Sequence, residues 1–349
     1  MPTSTVPPDA PPLLLLNPHP RRVGEIFAPA DLAALVGLGD LVVHDEGPID
    51  EAALAPLLPR LGLLLGQTAM GRDRLDRAPN LRGIINVETN FLPNIDYEAC
   101  FARGIHVLAP SGAFAAAVAE MALGLALDLV RGISRADREF RAGREQWGLA
   151  SNEGCFHLAG SDIGLIGYGD LGRALHRLLA PFGCRIAAYD PWLPDHFLRT
   201  HGLEPLPLDR LLGRSRVVFC LAAPSSENAH FIGRAEFEHM QPGSAFLLLS
   251  RAAVVDFPEM LRQAGSGRLR IATDVFPDEP VAAADPMRDN SGMLFSAHRA
   301  GAMTDALLEI GRQSLADAGL ILRGLPPVMC RRAQRETVTR SRSRPIERT

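Results

Sequence analysis

The chain has 349 residues, 47% of them apolar and 22% charged, which suffices for about two domains with cores that need no covalent staple. A formal net charge of −4 argues against a general nucleic-acid binder, and a complete absence of Lys excludes Schiff-base, pyridoxal-phosphate-lysine and Walker-loop chemistry. The five Cys (100, 155, 184, 220, 330) never form CxxC, so neither a disulfide framework nor a metal site is expected. The first twelve residues hold five Pro and are expected to fray. The first basic residue is Arg21, and the apolar run before it, 13–16, is four residues long. That is no signal peptide, and a cytoplasmic protein is expected.

Short apolar runs then alternate with helical segments. Those at 13–16, 41–43, 61–65, 81–85 and 106–108 predict parallel strands covered on both faces. A long Ala/Leu helix is predicted over 115–130; with Glu120 and Asp128 inside it, it suits a buried helix better than a membrane span. Residues 131–160 are polar and glycine-containing and predict an irregular connector. A second set of strands is predicted at 163–166, 185–189, 217–220, 245–249, 271–274 and 293–295, with helices at 171–181, 208–214 and 257–263 between them. Six strands alternating with helices make a doubly wound α/β sheet. A last long helix is expected over 302–323. The tail 331–349 has seven Arg and two Glu without apolar periodicity, and a disordered segment is expected there.

Gly167-Tyr168-Gly169-Asp170-Leu171-Gly172 follows the strand 163–166 and opens a helix. In this context the three glycines read as a dinucleotide cradle: Gly167 for the tight turn, Gly169 for close approach of the pyrophosphate, Gly172 for helix–strand packing. The helix N-terminus adds free N–H groups and a positive dipole end. Asp190 ends the next strand, 18 residues after Gly172. An acid there accepts hydrogen bonds from a ribose diol and repels a 2′-phosphate, which favours NAD over NADP.

Three chemically apt residues fall just past three successive strands: Arg251 after 245–249, Glu279 after 271–274 and His298 after 293–295. The carboxyl ends of strands line the ligand crevice of an open α/β sheet, so residues 47 positions apart can converge. A His there supplies or removes a proton at a carbonyl or alcohol oxygen. A carboxylate behind it sets the tautomer, and an Arg fork holds a substrate carboxylate.

The ordered set Ala109-Pro110, Val118-Ala119-Glu120, the cradle with Tyr189-Asp190-Pro191, Leu249-Ser250-Arg251, Val255-Asp256, Asp274 through Pro280 and Ser296-Ala297-His298 resembles the D-isomer-specific 2-hydroxyacid dehydrogenases over about residues 60–325. The resemblance implies an NAD-dependent oxidoreductase in which Arg251 anchors the substrate, His298 is the acid/base and Glu279 its partner. It implies that Ser250 and Asp274 contact the nicotinamide end of NAD. It implies a homodimer that acts on a small molecule, with neither nucleic acid nor membrane as partner. It also implies two Rossmann-like α/β domains: an NAD-binding domain at 114–302 and a smaller flavodoxin-like substrate domain at 13–113 plus 303–330, with tails at 1–12 and 331–349.

The sequence departs from the family at four places. Ala252 stands where Gly usually follows the Arg, and Ala222 where a His is usual. Gln67 stands where an Arg is common. The loop that usually offers glycine N–H groups to the substrate carboxylate reads Asn86 to Asn94 without glycine, with Val87 and Glu88 at the substrate-binding positions. A Glu there disfavours a second substrate anion, or hydrogen-bonds a hydroxyl, or faces away. Two other functions are compatible with the fold: an NAD-sensing, corepressor-like regulator, and a formate- or phosphite-type dehydrogenase.

Overall fold

The protein is described from a computed structural model covering residues 11–88 and 90–340. Most of the expected frayed N-terminus, residues 1–10, and the tail from 341 on lie outside the described residues. The chain forms two compact units, one running to Phe114 and resuming at Met303, the other spanning Ala115–Ala302.

The first unit is built on five parallel strands: β1 (Leu13–Asn17), β2 (Asp40–Val43), β3 (Leu61–Gly66), β4 (Gly83–Ile85) and β5 (His106–Ala109), in the order β2-β1-β3-β4-β5. This is the flavodoxin order. Every residue of β1 and β3 is buried, which is why both read as uninterrupted Leu runs. The pleat divides those runs between two cores. Leu13, Leu15, Leu61 and Leu64 pack with Ile84, Ile105 and Val107. Leu14, Leu16, Leu63 and Leu65 pack with Ile310, Ala318 and Ile321 of the helix Thr304–Leu322.

The expectation of a disordered tail from 331 is corrected over its first ten residues. Arg331–Arg332 pairs antiparallel with β5, and Arg335–Val338 is a helical turn. Ala333 and Val338 are buried in the first of these cores, and that burial outweighs the ordering of an otherwise polar segment.

The second unit holds seven parallel strands: β6 (Asp162–Ile166), β7 (Arg185–Tyr189), β8 (Glu204–Pro205), β9 (Val217–Cys220), β10 (Ala245–Leu248), β11 (Arg270–Thr273) and β12 (Met293–Phe295). Their order is β8-β7-β6-β9-β10-β11-β12. The strand order reverses between β6 and β9, and a ligand crevice opens at such a point. The seventh strand, β8, is a two-residue edge too short to carry a periodic signal.

Ser111–Arg131 is the one segment among the described residues long and apolar enough to cross a membrane, with mean hydropathy 1.9. It is a core helix: over Ala115–Arg131 it buries Ala119, Ala122, Ala126 and Val130 and packs on the helix Asp170–Leu179, β10 and β11. The irregular connector expected over 131–160 contains a further helix, Ile133–Arg141. None of its residues is buried: its apolar stripe, Ile133, Ala136 and Phe140, is short and exposed among charged residues. An Asp137–Arg141 ion pair one turn apart supports it.

Candidate functional site

The glycine turn follows β6 at the switch point. Gly167 has φ +93°, and a Cβ on it would lie 2.9 Å from the Ala222 nitrogen. A Cβ on Gly172 would lie 2.7 Å from the Gly167 carbonyl oxygen, so the helix starting at Asp170 reaches the strand only because that residue is bare. Gly169 differs: nothing stands within 4 Å of the position its Cβ would take. That open space lies beside the first N–H groups of a ten-residue helix, at Asp170 and Leu171, and a dinucleotide pyrophosphate fits there.

Asp190 is tied to this turn. Its Oδ2 accepts from the Tyr168 N–H at 2.8 Å and its Oδ1 from the Trp192 N–H at 3.0 Å. Each oxygen keeps a further lone pair for a ribose hydroxyl. Tyr168 is itself buried, and its hydroxyl meets His176 Nδ1 at 2.9 Å.

β10, β11 and β12 are neighbours, so Arg251, Asp274 and His298 follow three adjacent carboxyl ends. Glu279 and His298 meet: Glu279 Oε2 is 2.5 Å from His298 Nδ1. The other carboxylate oxygen, Oε1, accepts from the Phe276 N–H at 2.8 Å, which pins the Glu279 side chain. With Nδ1 committed to the carboxylate, Nε2 is the nitrogen left to exchange a proton with a ligand.

His298 has φ +46°, a conformation that non-glycine residues adopt uncommonly. Asp274 sits beneath it, 3% exposed. Its carbonyl accepts from the His298 N–H at 2.8 Å, and its two carboxylate oxygens accept from Arg299 and Ala300 N–H at 3.0 Å each. Asp274 thus holds the loop that carries His298, a role not legible in the sequence. Arg251 is exposed and donates from Nη1 to the Ser250 carbonyl at 2.7 Å, while Ser250 is buried.

In the first unit the carboxyl edge of the sheet carries Asn17, Arg21, Gln67, Thr68, Asn86 and Glu88. Val87 and Glu88, the expected substrate-binding residues, are placed here. The Val87 side chain is fully buried among Leu16, Leu65 and Ile85, so only its main chain is available to a ligand. Glu88 is turned inward: its Oε1 lies 2.7 Å from Arg21 Nε, with the two side chains 2% and 13% exposed. The Arg21 guanidinium also lies 5.8 Å from the Phe114 ring centroid. A buried carboxylate needs such a partner. The signal for Arg21 was an Arg four residues beyond β1, on the same sheet edge as the loop. Asn86 Oδ1 accepts from the Glu88 N–H at 2.8 Å and from Gln67 Nε2 at 2.9 Å, and Asn94 Nδ2 donates to the Gln67 carbonyl at 2.6 Å.

Burial pushes the Cys100 thiol up to about 11 and the Cys220 thiol up to about 12, so both stay protonated and unreactive. Among the described residues no group of three or more His, Cys, Asp or Glu is placed to hold a metal ion.

Residues 123–300 match the family described as D-isomer specific 2-hydroxyacid dehydrogenase, NAD binding domain. A hydroxypyruvate reductase from Thermotoga maritima is 30% identical over 236 residues, which are 66% of this chain and 74% of the relative. A glyoxylate reductase from Thermofilum pendens is 28% identical over 319 residues, 88% of this chain and 93% of the relative. Among solved structures, a phosphoglycerate oxidoreductase from Rhizobium etli aligns with a TM-score of 0.86 at 43% identity, covering 93% of this chain and 99% of that one.

Proposed function

This chain belongs to the D-isomer specific 2-hydroxyacid dehydrogenase family of NAD-binding oxidoreductases, and on that premise we propose that it interconverts a D-2-hydroxyacid and its 2-ketoacid, with NAD as the preferred dinucleotide. When bound, the nicotinamide supplies the hydride donor or acceptor. His298 Nε2 gives a proton to the ketone oxygen in reduction and takes it from the alcohol in oxidation. Glu279 holds the ring by Nδ1 and balances the imidazolium. Arg251 grips the substrate carboxylate through its planar fork. Gly167, Gly169, Asp170, Leu171 and Gly172 cradle the pyrophosphate, and Asp190 takes the ribose hydroxyls. Ser250 borders the nicotinamide, and Asp274 positions the His298 loop. Val87 contributes main chain only, and Glu88 acts through Arg21.

The unit Ala115–Ala302 is then the NAD-binding domain and the other unit the substrate domain. A cytoplasmic homodimer completes the reading. Phe140, Trp147 and Leu149, 61%, 77% and 90% exposed along one stretch of chain, are apolar surface that a second copy would cover.

The observation that carries the proposal is the 2.5 Å contact between Glu279 Oε2 and His298 Nδ1, just past neighbouring strands of a dinucleotide-type sheet. The test is initial rates at 340 nm with NADH and with NADPH against a panel of 2-ketoacids, and with NAD against 2-hydroxyacids, formate and phosphite. Turnover of a 2-ketoacid with NADH preferred is expected. Turnover confined to formate or phosphite, or none at all, would overturn it.

A further inference from the structure

The two members of the Glu279–His298 pair stand on different loops, one after β11 and one after β12, and a row of three phenylalanines ties those loops together. The Phe276 ring lies 6.2 Å from the Phe257 ring and 6.1 Å from the Phe295 ring, centroid to centroid. Phe257 is buried and opens the helix Phe257–Gly265. Phe295 ends β12, three residues before His298. Rings at such distances attract, and all three belong to or pack on one core of the second unit. Pro277 and Asp278, which follow, are exposed, so between Val275 and Glu279 the Phe276 ring is the side chain seated in that core.

Phe276 also makes the bond that aims the carboxylate. Its backbone N–H donates to Glu279 Oε1 at 2.8 Å, which leaves Oε2 at His298 Nδ1. Hydrogen bonds weaken steeply as they bend, so this N–H holds Glu279 only while the Phe276 peptide keeps its orientation. The ring, flanked on both sides, keeps it. The row therefore sets one partner through Phe276 and the start of the other's loop through Phe295. We infer that Phe276 is a positioning residue for proton transfer: seated between Phe257 and Phe295, it directs Glu279 to His298 Nδ1, so that the ring proton stays there and Nε2 is open to the substrate. The effect on rate rests on the dehydrogenase reading above; the effect on the ring does not. Once the seat is removed, the carboxylate swings towards solvent, and the neutral imidazole reverts to the tautomer with its proton on Nε2.

The test compares the full-length parent with Phe276→Ala, which removes the ring and keeps the N–H, and with Phe276→Leu, which refills the slot. Phe237→Leu is the control, because Phe237 pairs with Phe246 at 5.2 Å in the same core on other elements. Two quantities are read. One is kcat with NADH and the 2-ketoacid that the parent turns over best. The other is the tautomer of the neutral His298 ring by nitrogen NMR, its signals identified by their loss in His298→Ala. Phe276→Ala is expected to lower kcat about 10- to 100-fold with KM little changed, and to move the ring proton from Nδ1 towards Nε2. Phe276→Leu should restore most of both, and Phe237→Leu should move neither. NADH affinity, read by fluorescence, shows that a variant is folded. If Phe276→Ala is not, Phe295→Ala opens the same row from the other side and is expected to act alike. A parent ring with its proton already on Nε2, or a folded Ala variant with the parent's tautomer or the parent's kcat, overturns the inference. So does a Phe237→Leu enzyme that changes as much. A parent that turns over no 2-ketoacid overturns the dehydrogenase reading instead, and the tautomer alone then decides the inference.

Discussion

At the scale of single residues, the candidate site depends on a His in an unfavourable backbone conformation. A side chain at φ +46° persists only where its surroundings over-determine it. Here the surroundings are the Asp274 carbonyl and carboxylate below and Glu279 at the ring. Such strain is met at functional sites, and among the described non-glycine residues His298 shares it with His230 alone. His298→Ala should keep NADH affinity and lose about 10²- to 10⁴-fold in kcat. Glu279→Gln makes a sharper test. The Phe276 N–H keeps an oxygen at the Oε1 position, so the amide nitrogen of Gln faces His298 Nδ1. That forces the neutral ring to carry its proton on Nε2, the wrong tautomer for a base. Oxidation of the hydroxyacid should therefore fall about as far as in His298→Ala. Retained kcat in Glu279→Gln would remove the pair from the mechanism. The residue types and the strand-end positions of Arg251, Glu279 and His298 were legible in the sequence. The role of Asp274 as a brace was not, because backbone N–H partners leave no trace in side-chain identity.

At the scale of elements, the short apolar runs announced the strands because parallel strands are buried on both faces. The edge strand Glu204–Pro205 was not legible because it has too few residues to show a period, and the helix Ile133–Arg141 was read as connector because its stripe of Ile133, Ala136 and Phe140 is outnumbered by charged residues between glycines. The glycine turn and the helix after it carry a further consequence. His176, on the helix Asp170–Leu179, bonds the buried Tyr168 of the turn. Burial, with smaller contributions from His201 and Arg177, holds its imidazole below the ordinary value of 6.5. The unfolded chain therefore takes up that proton first as the pH falls. The contribution of His176 to stability is complete above about pH 6.5 and declines as the pH drops towards the lowered folded value. Urea melts at pH 7.5 and 5.5 should show the parent losing more stability than His176→Gln over this interval. Equal losses would mean that His176 is not held neutral by the fold.

At the scale of the molecule, the chain returns to its first unit through the helix Thr304–Leu322 and then adds an edge strand and a helical turn. A chain ended after Cys330 loses the buried Ala333 and Val338 and the Ala333 N–H bond to the Val107 carbonyl. It should be less stable by about 2 kcal/mol or more in urea melts. Its NADH affinity should hold, since the glycine turn belongs to the other unit. An unchanged midpoint would return the segment 331–340 to the status of a solvated tail.

The sequence by itself determined the α/β architecture, the dinucleotide turn and the chemical types at three strand ends. Each of these is local: a run of apolar residues, a glycine spacing, a residue one to five places past a strand. Only the tertiary structure decided which polar groups meet. Glu88 finds Arg21 from another strand end, and Asn86, Gln67 and Asn94 share one network from two loops. Asp274 reaches the loop after the next strand. Partner choice among polar groups follows from burial and distance in three dimensions, and neither composition nor spacing along the chain records it.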